Sequence, residues 1–212
     1  MSQYYPIFID LHALPVLVVG GGKVALRKVQ TLLHHGSLVR IVSPRLVPEL
    51  KELIDGKTCF WREKEYSAED IQEAMLVFSC TEIEEINAQV SQDAKANHRL
   101  VNVVDDPEKC SFIVPSIMEK GDLKIAVSTG GSSPIVARQV RGELEDLYGQ
   151  EMAEYLTLLK NWRSRAKSEL PPEKRAVFWK RATDGEIREL IKAQRLTEAK
   201  GVLEKCFLSL LG

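Results

Sequence analysis

The chain has 212 residues, enough for one sizeable hydrophobic core and a second, smaller one. A hydrophobic fraction of 44% and a charged fraction of 28% set it with soluble globular proteins and exclude a disordered chain. With 29 Lys and Arg against 30 Asp and Glu, the net charge of -1 provides no overall field for nucleic acid or an acidic membrane, and neither is expected as a partner.

Val16-Leu17-Val18-Val19 is an unbroken apolar run between Pro15 and Gly20, the pattern of a strand covered on both faces. A helix is predicted over Lys23 to His35, with Ala25, Val29, Leu32 and Leu33 on one face and Gly36 as its stop. Leu38 to Val42 is the next strand, which completes a βαβ unit. The alternation continues more weakly. Leu46 to Ile54 reads as helical, Thr58 to Trp61 as a short strand, and Ala68 to Ala74 as a helical turn or two. Met75 to Cys80 is a strong buried strand, a helix runs through Ile83, Ile86, Val90 and Ala94 to about Asn97, and Leu100 to Val104 closes the series. Strands alternating with helices predict a parallel sheet wrapped on both faces, a Rossmann-type α/β domain over 1–114.

Past Ser111 the pattern changes. Phe112 to Met118 and Leu123 to Ser128 read as two strands around Lys120-Gly121-Asp122. A helix follows from Pro134 to about Tyr148, with Ser133 as N-cap and Pro134 as first helical residue. From Gln150 onward the chain is helical. Met152, Tyr155, Leu156, Leu159 and Trp162 share one face, and Leu196, Ala199, Val202, Leu203, Cys206, Phe207 and Leu210 share another. Pro171-Pro172 separates two of these helices, and Thr183 is a candidate cap for the next. The expected division is a nucleotide-binding domain over 1–114, a small region over 115–149 and a helical domain over 150–212.

Gly20-Gly21-Gly22-Lys23-Val24-Ala25 fits G-x-G-x-x-A between a strand and a helix. Gly20 permits the tight turn, Gly22 lets the backbone approach a pyrophosphate, and Ala25 lets the helix pack closely on the sheet. The helix N-terminus then presents its unpaired N–H groups and positive dipole end to the phosphates. One position departs from the usual pattern. Where an Asp or Glu would bind the ribose hydroxyls, the chain has Ser43-Pro44-Arg45. Ser43 is suited to a weaker ribose contact and Arg45 to a 2′-phosphate, so the residues alone leave NAD and NADP both open.

The 4 cysteines, Cys59, Cys80, Cys110 and Cys206, are scattered and form no Cys-x-x-Cys pair, as in a reducing cytoplasm. The first residues lack the basic and apolar regions of a signal peptide, and no apolar run is long enough to span a bilayer. A soluble, cytoplasmic protein is therefore expected. His34 and His35 point about 100° apart on their helix, and His12 and His98 stand alone, so no metal site is expected.

Several segments, taken together and in order, resemble the precorrin-2 dehydrogenase family, which includes the dehydrogenase module of siroheme synthases. They are Pro6-Ile7-Phe8, Val18 to Lys28, Asn102-Val103-Val104-Asp105, Ser111 to Ser116 and Val127 to Pro134, covering roughly residues 5 to 146. The helical tail matches only in general character. The resemblance implies oxidation of precorrin-2 to sirohydrochlorin with NAD as cofactor, and some members also insert iron or cobalt into the product. It sets Lys23, Val24, Pro44 and Arg45 against the dinucleotide; with Gly20, Gly22, Ser43 and Thr81 these make up the expected cofactor set. The family's acidic catalytic residue falls on Asp105, in the crevice region beyond a strand end where such sheets collect ligands. Asp106 is expected to serve the turn before Pro107. Ser128, Thr129, Gly130 and Ser132 are expected to bind the carboxylates of the tetrapyrrole, with Arg138 and Arg141 nearby in sequence. An intertwined homodimer is implied, built mostly after Ser111, which makes 115–149 the expected dimerisation region. A chain of this length has no room for a methyltransferase domain, so the unfused form is expected.

Two other functions fit the same sheet. A regulatory module that senses NAD without chemistry would need neither the Asn102 to Asp105 nor the Ser128 to Pro134 motif. A dehydrogenase of an unrelated small acid would share the glycine loop alone.

Overall fold

The computed structural model describes residues 4–211, which divide into two compact units, 4–114 and 115–211. The first is built on five parallel strands: β1 (Pro15–Val19), β2 (Leu38–Val42), β3 (Cys59–Arg62), β4 (Leu76–Ser79) and β5 (Leu100–Val103). Their order is β3-β2-β1-β4-β5. The order reverses between β1 and β4, which creates the crevice where ligands of such sheets bind.

Alternation along β1 sorts the core into two layers, because successive side chains point to opposite faces. Val16 and Val18 face α1 (Lys23–His34) and α2 (Pro48–Lys51), burying Ala25, Val29, Leu32 and Leu50. Leu17 and Val19 face α3 (Glu84–Ala96) and a 3-10 turn at 68–71, burying Val90, Ala94 and Ile71. Asp70 anchors that turn. Its carboxylate accepts from the Ser67 N–H at 3.0 Å and Lys64 Nζ at 2.7 Å, and it also pairs with Arg62.

Two expected elements differ from the structure. The helix expected over Leu46 to Ile54 shrinks to α2, since Val47 precedes Pro48 and takes an extended conformation. At the other end, Asp55 draws the chain into a turn by accepting from the N–H groups of Lys57, Thr58 and Cys59. The strand expected over Phe112 to Met118 begins only at Ser116. Pro115 has no N–H for a ladder, and Phe112 turns back into the first unit, edge-on to Phe78 at 5.4 Å.

In the second unit, β6 (Ser116–Lys120) and β7 (Leu123–Val127) form an antiparallel hairpin. α4 (Pro134–Leu147) packs on it, and so does α5 (Gln150–Glu169), whose Ala153 lies against Gly121 of the hairpin turn. α6 (Pro172–Ala182), α7 (Glu186–Lys192) and α8 (Leu196–Leu211) complete the helical part. Its centre is aromatic. Phe178 and Phe207 are fully buried with ring centroids 5.6 Å apart, and Trp162 lies 5.2 Å from Phe207. On α5 the inward positions include Leu158 rather than the expected Leu156, which is only half-buried. Thr183 closes α6 by donating to the Trp179 carbonyl at 2.8 Å, instead of opening α7. Gly185, at φ 109, opens α7. Among the described residues no helix is long and apolar enough to cross a membrane.

Candidate active site

The turn from β1 into α1 depends on its first glycine for conformation and on its second for space. Gly20 has φ +116, and a Cβ there would lie 2.6 Å from the Cys80 carbonyl oxygen at the end of β4. Gly21 has no room either, because a Cβ would meet the Arg45 carbonyl oxygen at 1.9 Å. Its own carbonyl accepts from the Val47 N–H at 2.9 Å, so residues 43–47 are bound to the loop. Gly22 is the opposite case: it is exposed, and nothing lies within 4 Å of where its Cβ would be. It caps α1 without a side chain, and no acidic residue occupies the first turn. The first N–H groups of α1, at Lys23 and Val24, are thus presented without a competing carboxylate. This arrangement fits a dinucleotide pyrophosphate.

The other expected cofactor residues surround that turn. Ser43 ends β2, is buried, and donates its hydroxyl to the Arg45 carbonyl at 2.8 Å, while Pro44 and Arg45 are exposed. Thr81 follows β4 beside Gly20; its hydroxyl accepts from the Ile83 N–H at 2.8 Å and its carbonyl from Asn87. The Cys80 thiol between them is pushed up to about 12 by burial, so it stays protonated and is not a nucleophile at neutral pH.

Asp105 lies just past β5, at the same carboxyl end of the sheet. Its carboxylate is exposed and its backbone is left-handed at φ 60. A network of neighbours holds this conformation. Asn102 donates to the Phe112 carbonyl at 3.1 Å, and the Val101 N–H donates to Ser111 Oγ at 2.7 Å. Cys110 Sγ accepts from the Val103 N–H at 3.1 Å and reaches the Asp106 carbonyl at the same distance. Asp106 has the turn-forming role read from the sequence: it accepts from the Lys109 N–H at 3.2 Å and forms an ion pair with the Lys109 ammonium. That contact holds the Asp106 carboxyl below its usual value and the Lys109 ammonium above its own.

In the second unit, Ser128 to Ser133 form a closed loop ahead of α4. Gly130 and Gly131 have φ +62 and +91. Ser128 Oγ accepts from the Gly130 N–H at 3.1 Å, and the Thr129 hydroxyl accepts from the Ser133 N–H and donates to its carbonyl, both at 3.0 Å. Ser133 is the N-cap, accepting from the Val136 N–H, and Pro134 starts the helix, as the sequence indicated. Ser132 and Arg138 are exposed, and Arg141 is engaged by Glu145 at 2.5 Å. Among the described residues no group of three His, Cys, Asp or Glu side chains is placed to hold a metal ion.

Two residues of this region escaped the motif reading. Gly21 is the unspecified position of G-x-G-x-x-A, and only the Arg45 contact explains it. Lys28 lies on α1 with its ammonium over Phe78; its signal in the sequence was a charged residue at the border of an apolar stripe, three residues after Ala25.

Three family models match in succession: one described as putative NAD(P)-binding over residues 7–116, the central part of sirohaem biosynthesis proteins over 120–147, and the sirohaem synthase dimerisation region over 152–207. The chain belongs to the family that these models describe, that of the sirohaem synthases. Among curated members, siroheme synthase of Mannheimia succiniciproducens is 40% identical over 203 residues, which are 95% of this chain and 43% of that protein. The siroheme synthase of Zymomonas mobilis is 42% identical over 184 residues, 86% of this chain and 39% of that one. The chain thus spans under half the length of these relatives. Its fold matches the solved structure of SirC, a precorrin-2 dehydrogenase, with a TM-score of 0.80 and 23% identity over 95% of this chain and 100% of that one. The putative NAD(P)-binding model covers the sheet and glycine loop described above, which supports a nicotinamide cofactor. The model of the dimerisation region falls on the helical tail.

Proposed function

We propose that the chain is a precorrin-2 dehydrogenase that oxidises its tetrapyrrole substrate to sirohydrochlorin. The observation that carries this reading is Asp105: a carboxylate held in left-handed backbone beyond β5, at the same sheet end as the dinucleotide turn. Such strain in a non-glycine residue is of order 1–3 kcal/mol and persists where the surroundings enforce it, commonly at functional sites. The oxidation removes two electrons and two protons' worth of hydrogen, as one hydride and one proton. When bound, the nicotinamide accepts the hydride. Asp105 takes the proton, since its carboxylate is exposed and makes no hydrogen bond among the described residues.

Gly20, Gly22, Lys23 and Val24 hold the pyrophosphate, with Ser43, Pro44, Arg45 and Thr81 lining the rest of the dinucleotide. Ser128, Thr129, Gly130 and Ser132 bind the substrate's carboxylates. NAD is preferred over NADP on the strength of the family resemblance. Arg45 is exposed and offers charge to a 2′-phosphate, which makes NADP the necessary comparison. The working protein is a homodimer formed by the part after residue 115, with the tail included. The exposed apolar residues Ile117, Ile135, Val136 and Leu147 in that part support this. A cytoplasmic location suits the four cysteines, all present as thiols.

The test is to incubate the protein with precorrin-2 and NAD or NADP and follow the visible spectrum. Sirohydrochlorin is expected to appear faster with NAD. No spectral change with either cofactor would refute the function, and equal or faster turnover with NADP would refute the preference. The same incubation with ferrous ion reports on metal insertion.

A further inference from the structure

Lys28 is a charged residue where packing alone calls for an apolar one. It lies on α1 one turn after Ala25, which is fully buried against the sheet. Its side chain is half-buried. The ammonium sits 5.7 Å from the centroid of the Phe78 ring, and Phe78 is itself buried and held edge-on by Phe112. Phe78 precedes Cys80 by two residues on β4, so the ammonium approaches the carboxyl end of that strand. Of the groups that act on its charge, Asp105 is the one of opposite sign that is ionised at neutral pH, and it acts through space.

Burial lowers the Lys28 pKa, and the Asp105 carboxylate offsets this only in part. Among the described residues no carboxylate forms an ion pair with the ammonium, and Asp105 acts on it through space. An ammonium stripped of part of its hydration and given no counter-ion is costly, and contact with an aromatic face compensates weakly. A methionine or leucine would fill the same space without that cost. The charge gains its partner only when an anion enters the crevice.

Two anions could do so. The dinucleotide phosphates are expected at Gly22 and the first turn of α1, whereas Lys28 lies beyond that turn and its ammonium stands over the Phe78 ring, near the carboxyl end of β4. The position by Asp105 therefore favours the other anion. We propose that Lys28 is a further substrate-binding residue, its ammonium taking a carboxylate of the polyanionic tetrapyrrole beside Asp105. The proposal rests on the dehydrogenase reading given above. It makes Lys28 the group that sets one edge of the macrocycle against the proton acceptor.

The test compares Lys28→Met, Lys28→Gln and Lys28→Arg with wild type in the full chain. Three measurements are made on each: precorrin-2 kinetics at saturating NAD, sirohydrochlorin titration by absorbance, and NAD titration, with thermal melting as a check on folding. One charge-assisted contact is worth roughly tenfold or more in affinity. Both uncharged variants are expected to raise KM for precorrin-2 and weaken sirohydrochlorin binding about tenfold, with kcat little changed and NAD affinity unchanged. Lys28→Arg should recover most of the loss. Wild-type affinity for sirohydrochlorin should fall with salt more steeply than that of Lys28→Met. The uncharged variants should melt no lower than wild type, because they lose an unpaired charge.

Unchanged KM and sirohydrochlorin affinity in the uncharged variants would overturn the assignment. So would a loss of NAD affinity, which would give the ammonium to the cofactor phosphates, or failure of both variants to fold, which would make the residue structural. A wild-type protein that neither binds sirohydrochlorin nor oxidises precorrin-2 is a separate result, and it removes the dehydrogenase reading along with Lys28.

Discussion

A methyl group placed on Gly21 would stand 1.9 Å from the Arg45 carbonyl oxygen and 2.8 Å from both Leu46 Cδ2 and Ser43 Oγ. Backbone cannot yield as a flexible side chain does, so residues 43–47 must move. Forced overpacking of this kind costs roughly 1–3 kcal/mol. The hydrogen bond from the Val47 N–H to the Gly21 carbonyl, 2.9 Å long, would be disturbed in that variant, and it is worth about 1 kcal/mol. Gly21→Ala should therefore destabilise the fold by about 2–4 kcal/mol, against a typical total of roughly 5–15 kcal/mol. Gly22→Ala should behave otherwise. Its added methyl meets nothing within 4 Å, and its φ of -90 suits any residue. Stability should stay within about 0.5 kcal/mol of wild type. The methyl nevertheless intrudes where a pyrophosphate would approach the N-terminus of α1. Losing one charge-assisted hydrogen bond there, about 1.5–3 kcal/mol, predicts NAD affinity weaker by roughly 10- to 100-fold. Urea denaturation and titration by NADH fluorescence read the two effects separately. Unchanged NADH affinity in Gly22→Ala would refute the phosphate site, and a fully stable Gly21→Ala would refute the account of the 43–47 contact.

Asp105→Asn should fold and bind NAD normally yet lose dehydrogenation by about 10²–10⁴-fold, whereas Asp106→Asn should melt lower with a far smaller loss of rate. Equal rates in Asp105→Asn and wild type would remove Asp105 from the mechanism. Sedimentation at low concentration should find a dimer throughout, and a stable folded monomer would contradict it. Burial would raise the Asp70 carboxyl, but the contacts from Lys64, Ser67 and Arg62 outweigh it and hold it below its usual value. A depressed carboxyl stabilises the fold above its unfolded pKa near ~3.9 and loses that contribution as pH falls through the folded value. The urea midpoint should therefore fall on acidification below about pH 4, with a shallower fall in Asp70→Asn; identical acid limbs would refute this role.

The parts of this molecule legible from its sequence are those where one short-range pattern decides the outcome. The apolar run of β1, the stripe Ala25, Val29 and Leu32, and the Ser133-Pro134 start of α4 each carry their own signal and appear where expected. The misplaced elements were settled by distant partners. Phe112 looks like strand residue by composition, but the pocket against Phe78 holds it in the first unit. Thr183 has the chemistry of a cap for either helix, and the carbonyl of Trp179 decides which. At the site, the glycine turn was readable because phosphate approach imposes a fixed spacing. The constraint on Gly21 arises from a carbonyl 24 positions along the chain and leaves no local trace, while Lys28 shows locally only as a charge at the border of an apolar stripe, and the ring it meets lies on β4.

The contact between Gly21 and Arg45 also bears on redesign of cofactor preference. Arg45 meets the glycine turn with its backbone oxygen, and its side chain points elsewhere into solvent. The guanidinium can thus be exchanged for a carboxylate or an amide without disturbing the turn, so the proposed role of Arg45 toward the cofactor is open to change by side chain alone. Insertions or deletions between Ser43 and Val47 are a different matter. They would shift the oxygen that fills the space beside Gly21 and carry the phosphate turn with it. A library that varies identity at Pro44 and Arg45 should yield folded proteins of graded specificity, and one that varies loop length should yield few that bind any dinucleotide.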